Sequence, residues 1–568
     1  MKMNPMLLTD FYKLGHRAQY PQGTELIYST FTPRTSRIDG INEVVFFGLQ
    51  GFIKEYLMDY FTDNFFNVDK MALVDEYKRL VKNTLGDVDP YTKHIEDLHD
   101  LGYMPVKICA VEEGTKLPIR VPMFTIENTL PEFFWVTNFL ETFMSACMWK
   151  PTTVATISNL YREICEEWAD KTADSRGHIP FQCHNFSMRG LSGFDDLLTN
   201  GAAHLTSFSG TDTIPSILYC ERYYNSNIEK ELVGASIAAS EHSVQCTYGD
   251  DEKYFSDMIN KIYPNGLVSI VSDGYDYWKM LTEVIPSMKN DIMKRDGKVV
   301  VRPDSGDPAL IICGTAKIED FTNNEYVESF EDAKDAIEEI LVDNIREKTP
   351  HGEWGSDNVS GIFKYDNQLY SVDIEIRWDR YDKQYYFIEE SFIKSCKEIE
   401  LSPEQKGSIE ILWDVFGGSI NSKGYKVLDS HIGLIYGDAI TPERAREIFK
   451  RLEAKGFSAE NIVFGVGSYS LGYHTRDTFG MALKSTYAVV NGEEKLIFKD
   501  PKTDSGVKKS QKGMVAVIKA EDQIGFTDGL NKVNKASLAS IDLLQPVFID
   551  GDLIFDDTLQ EIRKRVVA

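Results

Sequence analysis

The sequence contains no uninterrupted apolar run of the ~18 residues that a membrane-spanning helix requires, so no such helix is predicted. Its first residues, MKMNPMLLTDFYKLGH, lack the apolar core of a secretory signal, so no targeting segment is predicted either. Positive charge is also scarce, because 61 Lys and Arg stand against 88 Asp and Glu, for a formal net charge of -27. This acidity argues against general binding to nucleic acid or anionic membranes, but it allows a local basic pocket for a small anion.

Cysteine is sparse and shows no metal-binding pattern. The eight cysteines form no C-x-x-C pair, and no cluster has zinc-ligand spacing. We therefore expect reduced thiols in a cytoplasmic protein. Core-forming residues are plentiful, since 42% of the residues are hydrophobic and 12% aromatic, and this composition is not that of a disordered chain. A chain of 568 residues predicts about three or four domain-sized units.

From about residue 180 the sequence alternates apolar runs with helical segments. The runs GLVSIVSD, KVVVRPDSG, HIGLIYGDA and NIVFGVGS each carry glycine or polar residues near the end. Continuous apolar strands joined by helices predict a parallel sheet covered by helices. Polar residues gathered at the carboxyl ends of several strands favour an irregular α/β barrel with catalytic groups at that edge. An open, doubly wound sheet is the alternative.

A helix with clear boundaries is predicted after the third of these runs. Thr441 can cap it, Pro442 suits its first turn, and Gly456 ends it. Its predicted apolar face consists of Ala445, Ile448, Phe449 and Leu452.

A segment of different character, residues 320–422, interrupts this alternation. Its first part is strongly acidic, and its second part alternates apolar with polar residues, as a half-buried antiparallel strand does. The side chains predicted to point to one face are Val372, Ile374, Ile376 and Trp378. With a turn near Asp366-Asn367, the segment predicts a small α+β subdomain inserted between two barrel strands.

Three strand ends carry candidate site residues, each with a plainer alternative. Arg302 in RPDSGDP suits bidentate phosphate binding, and Asp304 could hold ribose hydroxyls, although the two could also form a simple salt bridge in a loop. The pair Gly437-Asp438 offers a second carboxylate beside a glycine that lets substrate approach, or only a turn. The Gly467-Ser468 pair could present amides to a phosphate, or again only a turn.

Two histidines and a basic run remain ambiguous by themselves. His242 in SEHS precedes a predicted helix, and His184 lies close to Arg189 in HNFSMRG, but single histidines are usually structural or exposed. The basic run near Lys508 is either a solvated loop or the element that faces a polyphosphate.

Taken together, these segments resemble the nicotinamide phosphoribosyltransferases, which are type II phosphoribosyltransferases. The resemblance spans almost the whole chain apart from the insertion. It rests on LLTDFYKLGHRAQYP, VFFGLQ, NFLET, PTTVAT, HNFSMRG, AAHLTSFSGTDT, AASEHS, SIVSDGYD, VVRPDSGDP, NSKGYKVLDSHIGLIYGD, ENIVFGVGS, TRD and FKDP. It implies an α+β sandwich domain formed from residues 1–178 and 477–568, a barrel domain over 179–476, and a homodimer with shared active sites.

The resemblance also implies a reaction and a role for each matching residue. The reaction joins nicotinamide to 5-phosphoribosyl 1-pyrophosphate and yields nicotinamide mononucleotide in NAD salvage, with ATP as a co-substrate. Phe186 would stack on the base opposite Tyr12 of the partner subunit, and Asp212 would accept the carboxamide N–H. His242 would be phosphorylated by ATP, with Asp273 orienting it.

The remaining matched residues would hold the ribose and the phosphates. Magnesium would bind mainly through the pyrophosphate, near Asp304 and Asp438. The other expected substrate contacts are Asp10, Arg189, Ser269, Arg302, Gly437, Gly467 and Ser468. The expected phosphate-binding cations, partly donated across the dimer, are Arg34, Arg476, Lys484, Lys499 and Lys508.

Several positions depart from the family pattern and bear on affinity. Ser187-Met188 replaces Gly-Tyr beside the base, Ser468-Tyr469 replaces Gly-Gly, and Ala439 and Ala482 replace a glycine and a serine. The main rival is a nicotinate phosphoribosyltransferase, but Asp212 would repel the carboxylate of that base. A binding protein without activity is disfavoured by the retained site residues.

Overall fold

The computed structural model describes residues 3–86, 89–322, 324, 326–346, 354–380, 386–437, 439–499 and 510–568. The chain divides into two compact units. The first comprises Met1–Ile237, Gly437–Arg446 and Ile462–Ala568, and the second comprises Ala238–Tyr436 and Glu447–Asn461. Both units mix helices with strands, and both contain parallel strands. The predicted mixed α/β class is therefore confirmed.

An antiparallel sheet of seven strands organises the first unit. In spatial order the strands are Glu493–Leu496, Ala482–Val490, Thr24–Thr32, Phe124–Asn128, Val106–Ala110, Gln545–Ile549 and Asp552–Leu553. Thr24–Thr32 pairs with Ala482–Val490, so the two ends of the chain share one sheet. The core on this sheet is aromatic, because Phe31 and Phe124 are fully buried and stack with ring centroids 4.8 Å apart. Two smaller antiparallel pairs are Glu43–Val45 with Lys116–Pro118 and Met514–Ala520 with Gln523–Leu530.

The longest helix of the first unit, Val136–Thr172, has 37 residues and passes through Pro151. Apolar and aromatic residues recur at near-helical spacing over Pro131–Trp149 and predict a buried helix there, but the observed helix continues past the carboxyl end of that range. Pro151 is buried beneath Gly48, whose φ of +110° and missing side chain leave room for the ring. Within the described ranges no helix is both long and apolar enough to cross a membrane. The other α-helices of nine residues or more in the described part of this unit are Lys70–Leu85, Lys93–Leu101, Phe194–His204, Ile214–Tyr223 and Leu559–Val567, and a further helical run of α and π turns covers residues 49–66.

Four strands of the second unit pair in parallel within one sheet, namely Ala238–Ala239, Val268–Val271, Val299–Arg302 and Ile432–Tyr436. Their register places Val271 opposite Arg302, so neighbouring strands end at the same level. The connecting helices are His242–Cys246, Asp251–Asp257, Tyr277–Lys279, Ile285–Ser287, Lys289–Met293, Pro308–Cys313, Pro403–Lys406 and Ser408–Phe416.

The helix predicted after Thr441 is confirmed as Pro442–Ala454. The Thr441 hydroxyl accepts a hydrogen bond from Arg444 N, and the four residues of the predicted apolar face are all buried.

The inserted segment forms a separate sheet within the second unit. Its strands are Ile318–Asp320, Trp354–Tyr365, Gln368–Arg380 and Tyr386–Glu398, and the helix Phe330–Arg346 packs against them. The predicted turn at Asp366-Asn367 is confirmed, with φ of 47° and 62° at the two residues, as a two-residue hairpin turn requires. The predicted inward face of the second long strand is also confirmed, because Val372, Ile374 and Ile376 are fully buried.

Candidate active site

In the first unit, three candidate residues follow directly after backbone segments that run parallel and end at the same edge. Val466 pairs in parallel with Asn185, which bridges to Thr211 on its other side. The residues that follow are Phe186, Asp212 and Gly467, and the parallel register brings them out together. Backbone hydrogen bonds fix this register, with Phe186 N donating to Val466 O at 3.0 Å and Asp212 N donating to Asn185 O at 3.0 Å.

Close backbone approaches around Phe186 require glycine. A Cβ on Gly465 would lie 2.7 Å from the Phe186 ring and 2.9 Å from Gly437 Cα, so the structure places Gly437 beside Phe186. A Cβ on Gly190 would lie 1.9 Å from Ser468 Oγ. The exposed Arg189 precedes Gly190, and Ser468 opens the short helix after Gly467, whose amides can face a phosphate.

Two side chains that sequence reasoning left unassigned hold the Asp212 carboxylate. His184 Nε2 lies 2.8 Å from Asp212 Oδ1, and the Ser236 hydroxyl donates to the same oxygen. His184 also packs its ring against Phe186, with centroids 4.8 Å apart. The Asp212 side chain keeps 42% exposure and lines a cavity of about 550 Å³ together with Met188. The only sequence signal for His184 was its place two residues before Phe186; Ser236 carried none.

We expect His184→Ala to raise about tenfold the KM for the nicotinamide base that the resemblance implies, because Asp212 loses a donor that fixes the orientation of its carboxylate. His184→Gln should restore most of the affinity, since its amide can donate from nearly the position of Nε2. The measurement is steady-state kinetics on both variants. A change in kcat alone, or equal KM values for parent and alanine variant, would contradict a positioning role.

In the second unit, His242 lies between two carboxylates that follow neighbouring strands. Its Nε2 is 2.9 Å from Asp273 Oδ1, and its Nδ1 is 3.8 Å from Asp304 Oδ2. Asp273 Oδ2 accepts hydrogen bonds from Asp304 N and from both the amide and the hydroxyl of Ser305. Burial alone would raise the pKa of Asp273, but these donors and His242 hold it below its ordinary value. The carboxylate therefore stays ionised at neutral pH.

Arg302 and Ser269 shape the segment that carries His242. Arg302 Nη2 donates to Ser240 O at 2.7 Å, and its Nε lies 3.9 Å from Asp304 Oδ1. Ser269 is buried within its strand, and its carbonyl accepts from Ser240 N at 2.9 Å. Arg302 and Ser269 are thus both hydrogen-bonded to the backbone of Ser240, Arg302 through its side chain and Ser269 through its carbonyl.

A family comparison bears on these two clusters. The nicotinate phosphoribosyltransferase family model matches residues 181–366 and 396–548, and the nicotinamide phosphoribosyltransferase N-terminal domain matches residues 4–108. The chain belongs to the nicotinate phosphoribosyltransferase family. The family match contains both the Phe186–Asp212 segment and the His242–Asp304 segment. Its gap, 367–395, falls within the inserted sheet.

Relatives extend the likeness over the full chain. Nicotinamide phosphoribosyltransferase of Acinetobacter baylyi is 39% identical over 578 residues, which cover 100% of this chain and 97% of that protein. Nicotinamide phosphoribosyltransferase of Xanthomonas campestris is 28% identical, covering 100% of this chain and 98% of that protein. The crystal structure of nicotinate-nucleotide pyrophosphorylase from Pyrococcus furiosus aligns with 98% of this chain and 93% of its own, at 14% identity and a TM-score of 0.48.

Three of the expected phosphate-binding cations surround one cleft of about 180 Å³ in the first unit. They are Arg34, Lys484 and Lys499. Arg34 Nε donates to Gly480 O at 2.7 Å, and Lys484 Nζ lies 2.6 Å from Glu141 Oε1. The structure therefore brings these residues together, as the resemblance implies.

Three other expected residues of the chain ends, Tyr12, Asp10 and Arg476, do not line this cleft. The Arg476 side chain is half exposed beside Asp477, and Tyr12 is 63% exposed. Asp10 accepts a hydrogen bond from Thr142 at 2.7 Å. Asp438 and Lys508 lie outside the described residues.

In the part of the chain that the structure describes, no group of three or more His, Cys, Asp and Glu side chains could hold a metal ion by itself. Asp273 is saturated by its donors, whereas the Asp304 side chain is one-third exposed. The Asp304 carboxylate is a group of the kind that could hold Mg²⁺, which proteins commonly bind through one or two carboxylates plus substrate phosphates.

Proposed function

We propose that this protein is a nicotinamide phosphoribosyltransferase, which forms nicotinamide mononucleotide and pyrophosphate from nicotinamide and 5-phosphoribosyl 1-pyrophosphate in NAD salvage. The observation that carries the proposal is the Asp212 carboxylate, held by His184 and Ser236 beside the Phe186 ring. An aromatic face with an adjacent fixed acceptor suits a flat heteroaromatic ring that bears an amide donor. The full-length likeness to enzymes of that name supports the same substrate.

Charge development dictates what the protein must supply. The pyridine nitrogen forms a bond to C1′ of the ribose as the bond from C1′ to pyrophosphate breaks. Positive charge grows on the sugar and negative charge on the leaving group, so carboxylates near the ribose and cations near the phosphates stabilise the transition state. The neutral pyridine nitrogen already has a free lone pair and needs no general base. Phe186 and Asp212 therefore act by positioning the base.

Nicotinate is the rival substrate, with the same chemistry at C1′. Its carboxylate would face Asp212, and both anions would lose water on binding. Product formation measured with each base at equal concentration tests the proposal directly. The proposal predicts a clear preference for nicotinamide, and a preference for nicotinate would overturn it.

We further propose that ATP phosphorylates His242. Nε2 is engaged by Asp273, which leaves the Nδ1 lone pair to attack the γ-phosphorus as the bond to ADP breaks. Asp304, with its oxygen 3.8 Å from Nδ1, would repel the incoming phosphoryl group unless a cation offsets its charge. Bound Mg²⁺ would supply that positive charge, with Asp304 as the residue that fits it.

His242→Ala should abolish labelling of the protein by γ-labelled ATP while leaving part of the nucleotide synthesis, because the base-binding residues are untouched. Asp273→Asn should weaken the labelling, since the imidazole loses its charged acceptor. His431→Ala is the matched control, because Nδ1 of His431 also lies close to a carboxylate oxygen, 2.7 Å from Asp429 Oδ1. His431 precedes the strand Ile432–Tyr436, so it lies at the opposite end from the residues that follow the strands. Equal acid-labile labelling of parent and His242→Ala would rule out this histidine.

We also propose a homodimer in which Tyr12 and the basic residues of the chain ends complete the site of the other subunit. Exposed apolar side chains support an interface on the first unit, since Phe194 is 68% and Ile214 70% exposed where they line the cavity next to Asp212. Phe11 and Tyr12 are also exposed. No nucleic acid or membrane partner is proposed.

A further inference from the structure

A second cavity, of about 730 Å³, lies in the second unit, where the inserted sheet meets helices that follow the parallel strands. We call it the basic groove. It is lined on one side by Lys364 and Leu369 of the inserted sheet, and on the other by Lys450 and Arg451 of the helix Pro442–Ala454. Its volume is in the range of small-molecule sites, roughly 300–1,000 Å³. None of the residues assigned above to the reaction lines it.

Most charges that line the basic groove cancel in pairs. Asp320 lies 3.2 Å from Lys364, and Glu410 lies 2.8 Å from Lys455. Glu447 lies 2.7 Å from Arg451. These three pairs account for three of the four lining carboxylates and three of the six lining cations.

The charges left over are mainly positive. Lys317, Lys426 and Lys450 make no ion pair with a carboxylate in the described part of the chain, and Glu319 is the remaining acid. The Lys426 ammonium lies over two aromatic rings, 4.9 Å from the Phe457 centroid and 5.6 Å from the Trp413 centroid. Three lysines against one glutamate leave a local excess of two positive charges in a chain whose net charge is -27. Such a local excess attracts a multiply charged anion.

The wall of the basic groove is not only polar. Leu369, Leu401 and Phe457 line it beside the lysines, so part of the ligand can be apolar or aromatic. We propose that the basic groove binds a small polyanion with two or more phosphate charges, of the nucleoside polyphosphate class. The inserted segment would thereby gain a role, since it supplies one side of the site. The proposal is independent of the reaction proposed above.

The test uses the full protein and two probes, inorganic triphosphate and ATP. Acetylation of lysines, mapped by mass spectrometry, should show at least fivefold protection of Lys317 and Lys450 by either probe, while the exposed Lys82 of the first unit stays unprotected. Protection by triphosphate alone would assign the site to free polyphosphate, and stronger protection by ATP would show that the nucleoside contributes; both outcomes support a phosphate site. Equal acetylation with and without both probes would overturn the proposal.

A charge-reversed variant separates this groove from phosphate binding elsewhere. Lys317→Glu/Lys450→Glu should lose at least one binding site for triphosphate per chain in calorimetry and keep its turnover without added probe. Lys82→Glu is the matched control and should bind like the parent. Binding that is unchanged in the double variant, or reduced equally in the control, would show that the anion binds only outside the groove and would overturn the proposal.

Replacement of residues 322–398 by a short linker should abolish the protection of Lys317 and Lys450 from acetylation. Nucleotide synthesis should remain. The inserted sheet has its own buried core, including Phe363 and Ile374, and carries no residue assigned to the reaction. Circular dichroism and the native mass of the shortened protein provide the control for folding. Loss of synthesis in a folded variant would show that the insertion serves the reaction itself.

Discussion

Asp212→Asn should lower kcat/KM for nicotinamide by about 10- to 150-fold and narrow its advantage over nicotinate. The substitution removes a charge-assisted hydrogen bond from the carboxamide, which contributes about 1.5–3 kcal/mol. It also removes the repulsion that a second carboxylate meets in a partly dry pocket. Both effects lower the ratio of kcat/KM for nicotinamide to kcat/KM for nicotinate.

The surroundings of Asp212 fix how the asparagine would point. His184 Nε2 and the Ser236 hydroxyl both contact Oδ1, so the amide oxygen of the variant would occupy that position. The amide NH₂ would then stand where Oδ2 stands in the parent, where it can donate to nicotinate and opposes the donor of nicotinamide.

The measurement is kcat/KM for both bases in parent and variant. Asp75→Asn makes the same chemical change at an exposed position of the helix Lys70–Leu85 and should alter neither value. An unchanged ratio in the Asp212 variant would show that this carboxylate does not select the base. Met188, which lines the same cavity, would then be the next residue to test.

A mixture of Tyr12→Ala and Phe186→Ala subunits should recover about a quarter of the parent activity after subunit exchange. Each variant alone should lose about 5- to 150-fold in kcat/KM, because stacking on a base contributes about 1–3 kcal/mol per aromatic face. Half of the randomly exchanged dimers are mixed, and one of the two sites in a mixed dimer carries both intact aromatic residues. The assay follows activity against time while native mass spectrometry follows exchange.

The control replaces the Tyr12→Ala partner with a Tyr12→Ala/Phe186→Ala double variant. No mixed dimer then contains an intact pair, so exchange should restore nothing. Absence of recovery in the first mixture despite complete exchange would place both aromatic residues in the same subunit or outside the site.

Residues that follow parallel strands could be placed from sequence, because apolar runs end at recognisable polar residues and parallel strands end at one edge. Asp304 is predicted in this way, whereas the role of Asp273 comes from the family resemblance, and the structure brings both to His242. The contact of His184 with Asp212 could not be foreseen, since it depends on the bridge between Asn185 and Thr211.

Other features escaped prediction for different physical reasons. The helix Val136–Thr172 continues past Pro151, although proline usually ends a helix, because Gly48 has no side chain and leaves room for the ring. The basic groove joins Lys317 to Lys450, which lie far apart along the chain, and its excess charge appears only after the ion pairs are known. Neither feature has a local signature.

The seven-stranded sheet has a consequence for the order of folding during synthesis. Thr24–Thr32 is synthesised well before its partner Ala482–Val490. Until then one side of an apolar strand lacks a neighbour, and such open edges attract other chains. Most of the second unit, Ala238–Tyr436, is continuous in sequence and can fold while the N-terminal segment waits. Deletion of residues that include the strand Ala482–Val490 should therefore promote aggregation of the nascent chain, before any effect on the enzymatic activity can be measured.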